Sequence, residues 1–295
     1  MILVIGGTGT VGRDVVRFLA ERGAPVRVLL RSPEKASAFL GLDVDFVRGD
    51  LAEPHSLRAA MEGAEKLFLL SSLSPRQAEL ESNAVEAAAG SGIGLIVKVS
   101  ALGASSRSDI LLVRQHAAVE ARIRASGIPT VVLRPHHFMQ NLLDQATTIV
   151  TEHAFYGAAG GGRFPAVDTR DVAEVAAVTL TTPGHEGRLY RLTGPVALSY
   201  TEMAAALGRA LGQPVRYVDL PPHEWRERLA QSGTPEWRAA DLVRIQEVYA
   251  TGRGGEPTAH VEQVLGKPAR AFSDFARDYA PVLLAASRSA GPGAR

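Results

Sequence analysis

The sequence predicts an α/β protein built on a doubly wound parallel sheet, with a smaller, mainly helical C-terminal lobe. Short apolar runs at residues 1–5, 26–30, 66–70, 94–99 and 130–133 are separated by longer segments whose apolar residues recur at helical spacing. The runs are nearly continuous in hydrophobicity rather than alternating, as expected of strands covered by helices on both faces.

Each intervening element follows from local chemistry. Helices are expected at 10–22, 55–61, 75–89 and 113–125. Ser126-Gly127-Ile128-Pro129 ends the last of these, because glycine takes a left-handed cap and proline cannot continue the turn. A third short strand is expected to end at Gly49-Asp50-Leu51. Asp171 is read as the N-cap of a helix over 172–180, and 188–192 as a strand returning to the sheet. Further helices are expected at 200–211, 222–231 and 272–279. This divides the chain into a sheet domain at 1–195, with 136–165 contributing to a substrate cleft, a C-terminal lobe at 196–285, and a flexible tail at 286–295.

Composition narrows the function classes. With 295 residues and 46% hydrophobic content the chain can bury a substantial core, and the absence of cysteine excludes disulfides, thiolate nucleophiles and cysteine-ligated metal. The formal net charge of +1 gives no reason to expect nucleic acid or an anionic membrane as partner. The first apolar run is far shorter than the roughly 18 residues a membrane span needs, so a cytoplasmic location is expected. No metal is expected: adjacent His136 and His137 lack a third ligand at recognisable spacing. A homodimer is compatible with this composition.

Directly after the first strand stands Gly6-Gly7-Thr8-Gly9-Thr10-Val11-Gly12, and Val11, Val15, Phe18 and Leu19 continue at helical spacing. Glycines at 6, 9 and 12 permit the tight turn, the close approach to a pyrophosphate and the helix–strand packing of a Rossmann-type dinucleotide site. The helix start directs free backbone N–H groups and a partial positive charge at the phosphates. Arg31 directly follows the second strand, where an NAD-selective site places an acid against the ribose hydroxyls. With Ser32 and Lys35 it can instead pair with a 2′-phosphate, which predicts NADP(H); the other reading is a solvated Arg-Ser-Pro turn. Asp50, beside Leu51, is read either as a contact to the adenine edge or as a helix cap ahead of Pro54.

Ser71 and Ser72, Ser100, and the stretch from Pro135 through His136 should converge at the carboxyl edge of the sheet, where ligands of open α/β sheets bind. Lys98, just before Ser100, either approaches the cofactor or reaches solvent. His136 and His137 either face the pocket or form a solvent-facing loop pair.

The glycine pattern, Arg31, Gly49-Asp50-Leu51, Lys98-Val99-Ser100-Ala101-Leu102-Gly103, Leu133-Arg134-Pro135 and Phe138-Met139-Gln140-Asn141 together resemble the NmrA-like atypical short-chain dehydrogenases/reductases. Val167-Asp168-Thr169-Arg170-Asp171-Val172-Ala173 and Leu192-Thr193-Gly194-Pro195 extend the resemblance over nearly the whole chain. Its quinone, azo-dye and triphenylmethane reductase branch looks closest, which implies a small aromatic or quinonoid substrate. By the same analogy His137, Phe138, Met139, Phe155, Phe164 and Trp225 are candidates for an apolar substrate wall, with core packing as the alternative for the apolar side chains.

The Tyr-x-x-x-Lys pair of a typical short-chain dehydrogenase is absent: none of the six tyrosines has lysine four positions on. The matching helix carries His116 and Glu120, one turn apart on one face. His116 can donate a proton after hydride transfer, with Glu120 fixing its ring and favouring the charged form; the alternative is that His116 only packs near the nicotinamide. The resulting expectation is an NADPH-dependent oxidoreductase acting on a quinone-like or aromatic carbonyl compound. The other reading is a non-catalytic NADP(H)-binding redox sensor.

Overall fold

The alternation of apolar runs and helical spacings is realised in the computed structural model, which describes residues 1–289. Along the first part of the chain lie β1 (Ile2–Ile5), α1 (Thr10–Glu21), β2 (Val26–Leu30), β3 (Asp45–Arg48), α2 (Pro54–Met61), β4 (Lys66–Leu69), α3 (Gln77–Ala89), β5 (Leu95–Val99), α4 (Leu111–Ser126) and β6 (Thr130–Pro135). There follow α5 (Ala146–Thr151), β7 (Ala154–Gly157), β8 (Arg163–Phe164), α6 (Thr169–Thr181), β9 (Leu189–Leu192), β10 (Leu198–Ser199) and α7 (Tyr200–Leu211). The last elements are β11 (Arg216–Asp219), α8 (Pro222–Gln231), α9 (Glu236–Ala250), α10 (His260–Leu265) and α11 (Phe272–Ser289).

These elements form two units: Met1–Pro135 with Thr169–Leu192 and His260–Lys267, and His136–Asp168 with Thr193–Ala259 and the chain from Pro268. The expected single boundary at 195 is thus corrected. Segment 136–168 packs its Met139, Phe155 and Phe164 into one hydrophobic cluster with Tyr200, Met203 and Phe272, whereas α10 packs against α6. Of the expected tail at 286–295, residues up to Ser289 belong to α11, and residues 290–295 lie outside the described residues.

The first unit holds a parallel seven-stranded sheet in the order β3-β2-β1-β4-β5-β6-β9. Ile2 pairs with Val26 on one side and Lys66 on the other, Arg27 with Asp45, and Val132 with Leu189. β1 and β5 are buried along their whole lengths, β1 as an unbroken apolar run and β5 with Lys98 as its one charged residue. The edge strands β3 and β9 carry the exposed charges Asp45, Arg48 and Arg191, which discourage edge-to-edge pairing. Helices α2, α3 and α4 bury Leu57, Met61, Val85, Val119 and Ile123 with Leu3, Leu67 and Ile96. Helix α1 buries Val11, Val15, Val16 and Leu19 and packs against α6. Gly127 caps α4 in the left-handed conformation (φ 74°), as its sequence predicts. Asp171 is not the N-cap of α6: the helix starts two residues earlier, leaving Asp171 buried in its first turn. The chain order reverses between β1 and β4, so their carboxyl ends flank the topological switch point at which open sheets bind ligands.

The second unit is mainly helical. β7 and β11 pair in parallel and β8 and β10 antiparallel, around a core of Phe155, Phe164, Tyr200, Leu207 and Phe275. α7 starts with a capping box in which Ser199 Oγ accepts the Glu202 N–H and Glu202 accepts the Ser199 N–H. Among the described residues, no helix is long and apolar enough to cross a membrane.

Candidate active site

The glycine loop occupies the switch point, and each glycine has its own reason. Gly6 has φ +84°, and a Cβ on it would stand 1.9 Å from the Leu70 carbonyl oxygen, so the loop lies directly against the chain leaving β4. A Cβ on Gly12 would stand 2.1 Å from the Gly6 carbonyl oxygen, so the first turn of α1 rests on the loop backbone. Gly9 differs: a Cβ there would meet only the Gly6 oxygen, at 3.4 Å, and otherwise project into open space. Gly9 is the N-cap of α1, no side chain caps the helix, and its first turn contains no acid. The amides of Thr10, Val11 and Gly12 therefore offer an anion a helix N-terminus beside an open position. Thr8, on the loop, accepts the Arg13 Nε–H through its carbonyl at 3.1 Å. Arg13 is a cation near a helix start, where the macrodipole disfavours it, and it steadies the loop through Thr8.

Arg31 is exposed at the end of β2, with Ser32 and Lys35 at the start of the 3₁₀ segment Pro33–Phe39. Leu30 pairs with Arg48 in the register of β2 and β3, which brings a second arginine to the same strand ends. Arg48 escaped sequence reasoning because only the register reveals it. Asp50 Oδ1 accepts the Ala52 N–H at 2.9 Å, and the N-cap of α2 is Glu53, so Asp50 organises the turn and is not the helix cap. Leu51 is half-buried, with its carbonyl held by Asn83 Nδ2.

Two buried charge clusters stand behind the ends of β4, β5 and β6. In the first, Glu81 on α3 is 2.7 Å from Lys98 Nζ, with both side chains fully buried. Glu81 Oε1 accepts the Ser71 N–H at 2.9 Å and the Ser71 Oγ–H at 3.0 Å, while Ser72 is exposed. Lys98 therefore neither reaches solvent nor points out of the edge; besides Glu81, it donates to the Val99 carbonyl.

In the second cluster, Glu120 accepts from Arg134 Nε at 2.9 Å and Arg134 Nη2 at 2.6 Å, and from the Ser100 hydroxyl. This bidentate, charge-assisted pair takes both carboxylate oxygens, so the expectation that Glu120 fixes the His116 ring is corrected. His116 is 5% exposed, and its Nδ1 has no hydrogen-bond partner. Burial, and then the positive charge of Lys98, hold its pKa well below the usual histidine value. His116 is therefore neutral at pH 7. Pro135 ends β6 and accepts the Leu102 N–H through its carbonyl.

The remaining candidates belong to the second unit. His136 is 7% exposed, which excludes a solvent-facing loop for it. Its Nδ1 accepts the His137 N–H at 2.7 Å, so its Nε2 carries the proton donated to the Gly254 carbonyl, also at 2.7 Å. Burial lowers its pKa to about 4. Its ring stacks on Phe164 and Tyr249, with centroids 5.9 and 5.6 Å away. His137 is half-buried, lies edge-on to Phe164, and is lowered to about 3 by burial and by His136. Phe155 and Phe164 are fully buried, and Trp225 packs with Ala158, Leu229 and Ala239. Phe138 is half-buried, bridged through its backbone to Val167. Met139 lines a cavity of about 360 Å³ with Leu198, Met203, Arg209 and Phe272.

Comparison with known proteins adds the family. The NmrA-like family model matches residues 1–279. An NAD(P)H azoreductase of Xenophilus azovorans is 37% identical over 286 residues, 97% of this chain and 100% of the relative. A (4-alkanoyl-5-oxo-2,5-dihydrofuran-3-yl)methyl phosphate reductase of Streptomyces griseus subsp. griseus is 35% identical over 281 residues, 95% of this chain and 98% of the relative. The crystal structure of an Escherichia coli NADPH-dependent quinone oxidoreductase complexed with NADPH is similar at a TM-score of 0.86 and 28% identity, covering 94% of this chain and 99% of that one. With a family model matched across nearly its whole length, and relatives more than 30% identical from end to end, this chain belongs to the NmrA-like family.

Proposed function

We propose that the chain is an NADPH-dependent oxidoreductase that passes hydride to a small quinone-like or aromatic carbonyl acceptor. The observation that carries this reading is the open position at Gly9, which sits on an uncapped helix start at the β1/β4 switch point. The cradle fits a pyrophosphate because only a residue without Cβ leaves that space free. The amides of residues 10–12 would hold the phosphates, and Arg31, Lys35 and Arg48 the 2′-phosphate, with Ser32 beside them. Asp50 and Leu51 would flank the adenine. Ser71, Ser72, Ser100 and Pro135 stand at the strand ends expected to face the nicotinamide half. The redox assignment draws on relatives named for NAD(P)H-dependent azo reduction and NADPH-dependent quinone reduction.

When bound, the reduced nicotinamide supplies the hydride, and the protein supplies orientation and electrostatics. His116, neutral and with an unpartnered Nδ1, acts in this account as an uncharged hydrogen-bonding group. The Arg134–Glu120 pair holds the Ser100 hydroxyl in place, and a quinone takes its proton from water. The test is oxidation of NADPH followed by absorbance, with a panel of quinones and aromatic ketones and with NADH alongside. Turnover that favours NADPH supports the reading. Tight NADPH binding without turnover of any acceptor would replace it with the sensor.

A further inference from the structure

Glu81 and Lys98 form an ion pair with both side chains at 0% exposure, in the interior beside the switch point. A buried pair of this kind does not repay its desolvation in fold stability, since well-packed apolar residues of similar volume commonly serve the core as well or better. The contacts of the pair show what it holds in place. One carboxylate oxygen faces Lys98; the other accepts both the backbone N–H and the hydroxyl of Ser71, with Gln77 Nε2 at 3.4 Å. Ser71 directly follows Leu70, whose carbonyl lies against Gly6, so the segment fixed by Glu81 belongs to the wall of the glycine cradle.

The direction of the hydroxyl bond decides what Ser71 recognises. A serine hydroxyl carries one proton and two lone pairs. That proton goes to Glu81 at 3.0 Å, a better acceptor than the Ser72 carbonyl at 3.5 Å. Ser71 Oγ is left to present lone pairs, and its natural partner is an O–H or N–H donor.

We propose that Glu81, clamped by Lys98, is a positioning residue that makes Ser71 an obligate hydrogen-bond acceptor for a donor on the nicotinamide half of the bound dinucleotide, a ribose hydroxyl or the carboxamide N–H. The inference rests on the reading that the glycine loop holds NADPH.

The test compares the parent protein, the double variant Glu81→Leu/Lys98→Met, and Ser71→Ala. Each is measured by thermal unfolding and by titration with NADPH and with 2′,5′-ADP, which carries the 2′-phosphate half and lacks the nicotinamide ribose. Removing both charges together avoids stranding one of them. The double variant is expected to keep its unfolding midpoint, to bind NADPH about tenfold more weakly, the loss of one net hydrogen bond, and to bind 2′,5′-ADP as the parent does. Ser71→Ala should reproduce this selective loss and keeps the test decisive if the double variant does not fold. NADPH affinity within twofold of the parent in a folded variant would overturn the proposal. Equal weakening of both ligands would also overturn it, as general damage to the cradle. A parent that binds neither ligand would instead overturn the cofactor reading beneath it.

Discussion

Replacing Gly9 with alanine is expected to leave the protein folded while removing most of its affinity for NADPH. Gly9 has φ −79° and ψ 174°, which alanine adopts without strain, and its nearest neighbour for a new Cβ is at an ordinary contact distance of 3.4 Å. The change at the N-cap costs at most about 1 kcal/mol, and the restricted unfolded chain offsets part of that. The unfolding midpoint should therefore move by no more than about 4 °C. Binding is affected differently, because the methyl group stands where the pyrophosphate must approach. Loss of two charge-assisted amide contacts, about 1.5 kcal/mol each, weakens NADPH binding about a hundredfold. Gly12→Ala is the control for the opposite behaviour, since its Cβ would meet three backbone atoms of Gly6 and Gly7 within 2.8 Å and must disturb the fold. Thermal unfolding and NADPH titration of both variants provide the assay. A folded Gly9→Ala protein that binds NADPH like the parent would refute the cradle argument.

Three further outcomes are expected. Arg31→Asp should lower the preference for NADPH over NADH by about tenfold or more, read as the ratio of kcat/KM values; an unchanged ratio would move 2′-phosphate recognition away from Arg31. His116→Gln should leave the shape of the pH–rate profile unaltered between pH 6 and 8, because His116 is already neutral there; an inflection in the parent that disappears in the variant would restore the proton-donor role. Acid should destabilise the protein through His136. Its folded pKa of about 4 lies below the ordinary 6.5, so between these values the unfolded chain binds a proton that the folded chain refuses. Its contribution is complete above pH 6.5 and is lost as pH falls toward 4, about 3 kcal/mol in all. His136→Gln should flatten the fall in unfolding free energy over that window, and an equally steep fall would contradict the assignment.

Much of the first unit could be read from sequence because its strands are buried on both faces. β2, α7 and α8 occupy the expected residues 26–30, 200–211 and 222–231. α9 was missed because its buried positions include Asp241 and Gln246 beside Ala239 and Tyr249, which leaves no apolar stripe. The parallel pairing of β7 with β11 joins short segments about sixty residues apart, and no local signal announces it.

The site divides in the same way. The glycine cradle is a local device and was legible as such. The partners of Glu120, Glu81 and Arg31 are not local. Helical spacing set Glu120 beside His116, but the fold offers it a bidentate guanidinium, a stronger partner for a carboxylate than a buried imidazole. Lys98 found Glu81 across a helix–strand contact, and Arg48 comes beside Arg31 through strand register alone. The sequence leaves open whether His136 and His137 face a pocket or solvent, because the role of His136 as a stacked, doubly hydrogen-bonded group requires Gly254, far along the chain.

Hydride transfer from the bound cofactor is tested most directly by rapid mixing of the preformed protein–NADPH complex with a simple benzoquinone, following the loss of NADPH fluorescence. A hydride-transferring protein should give a single-turnover loss whose rate rises with quinone concentration and saturates, well above that of NADPH and quinone without protein. Loss of NADPH no faster than in the protein-free mixture, with the complex shown to be formed, would contradict it.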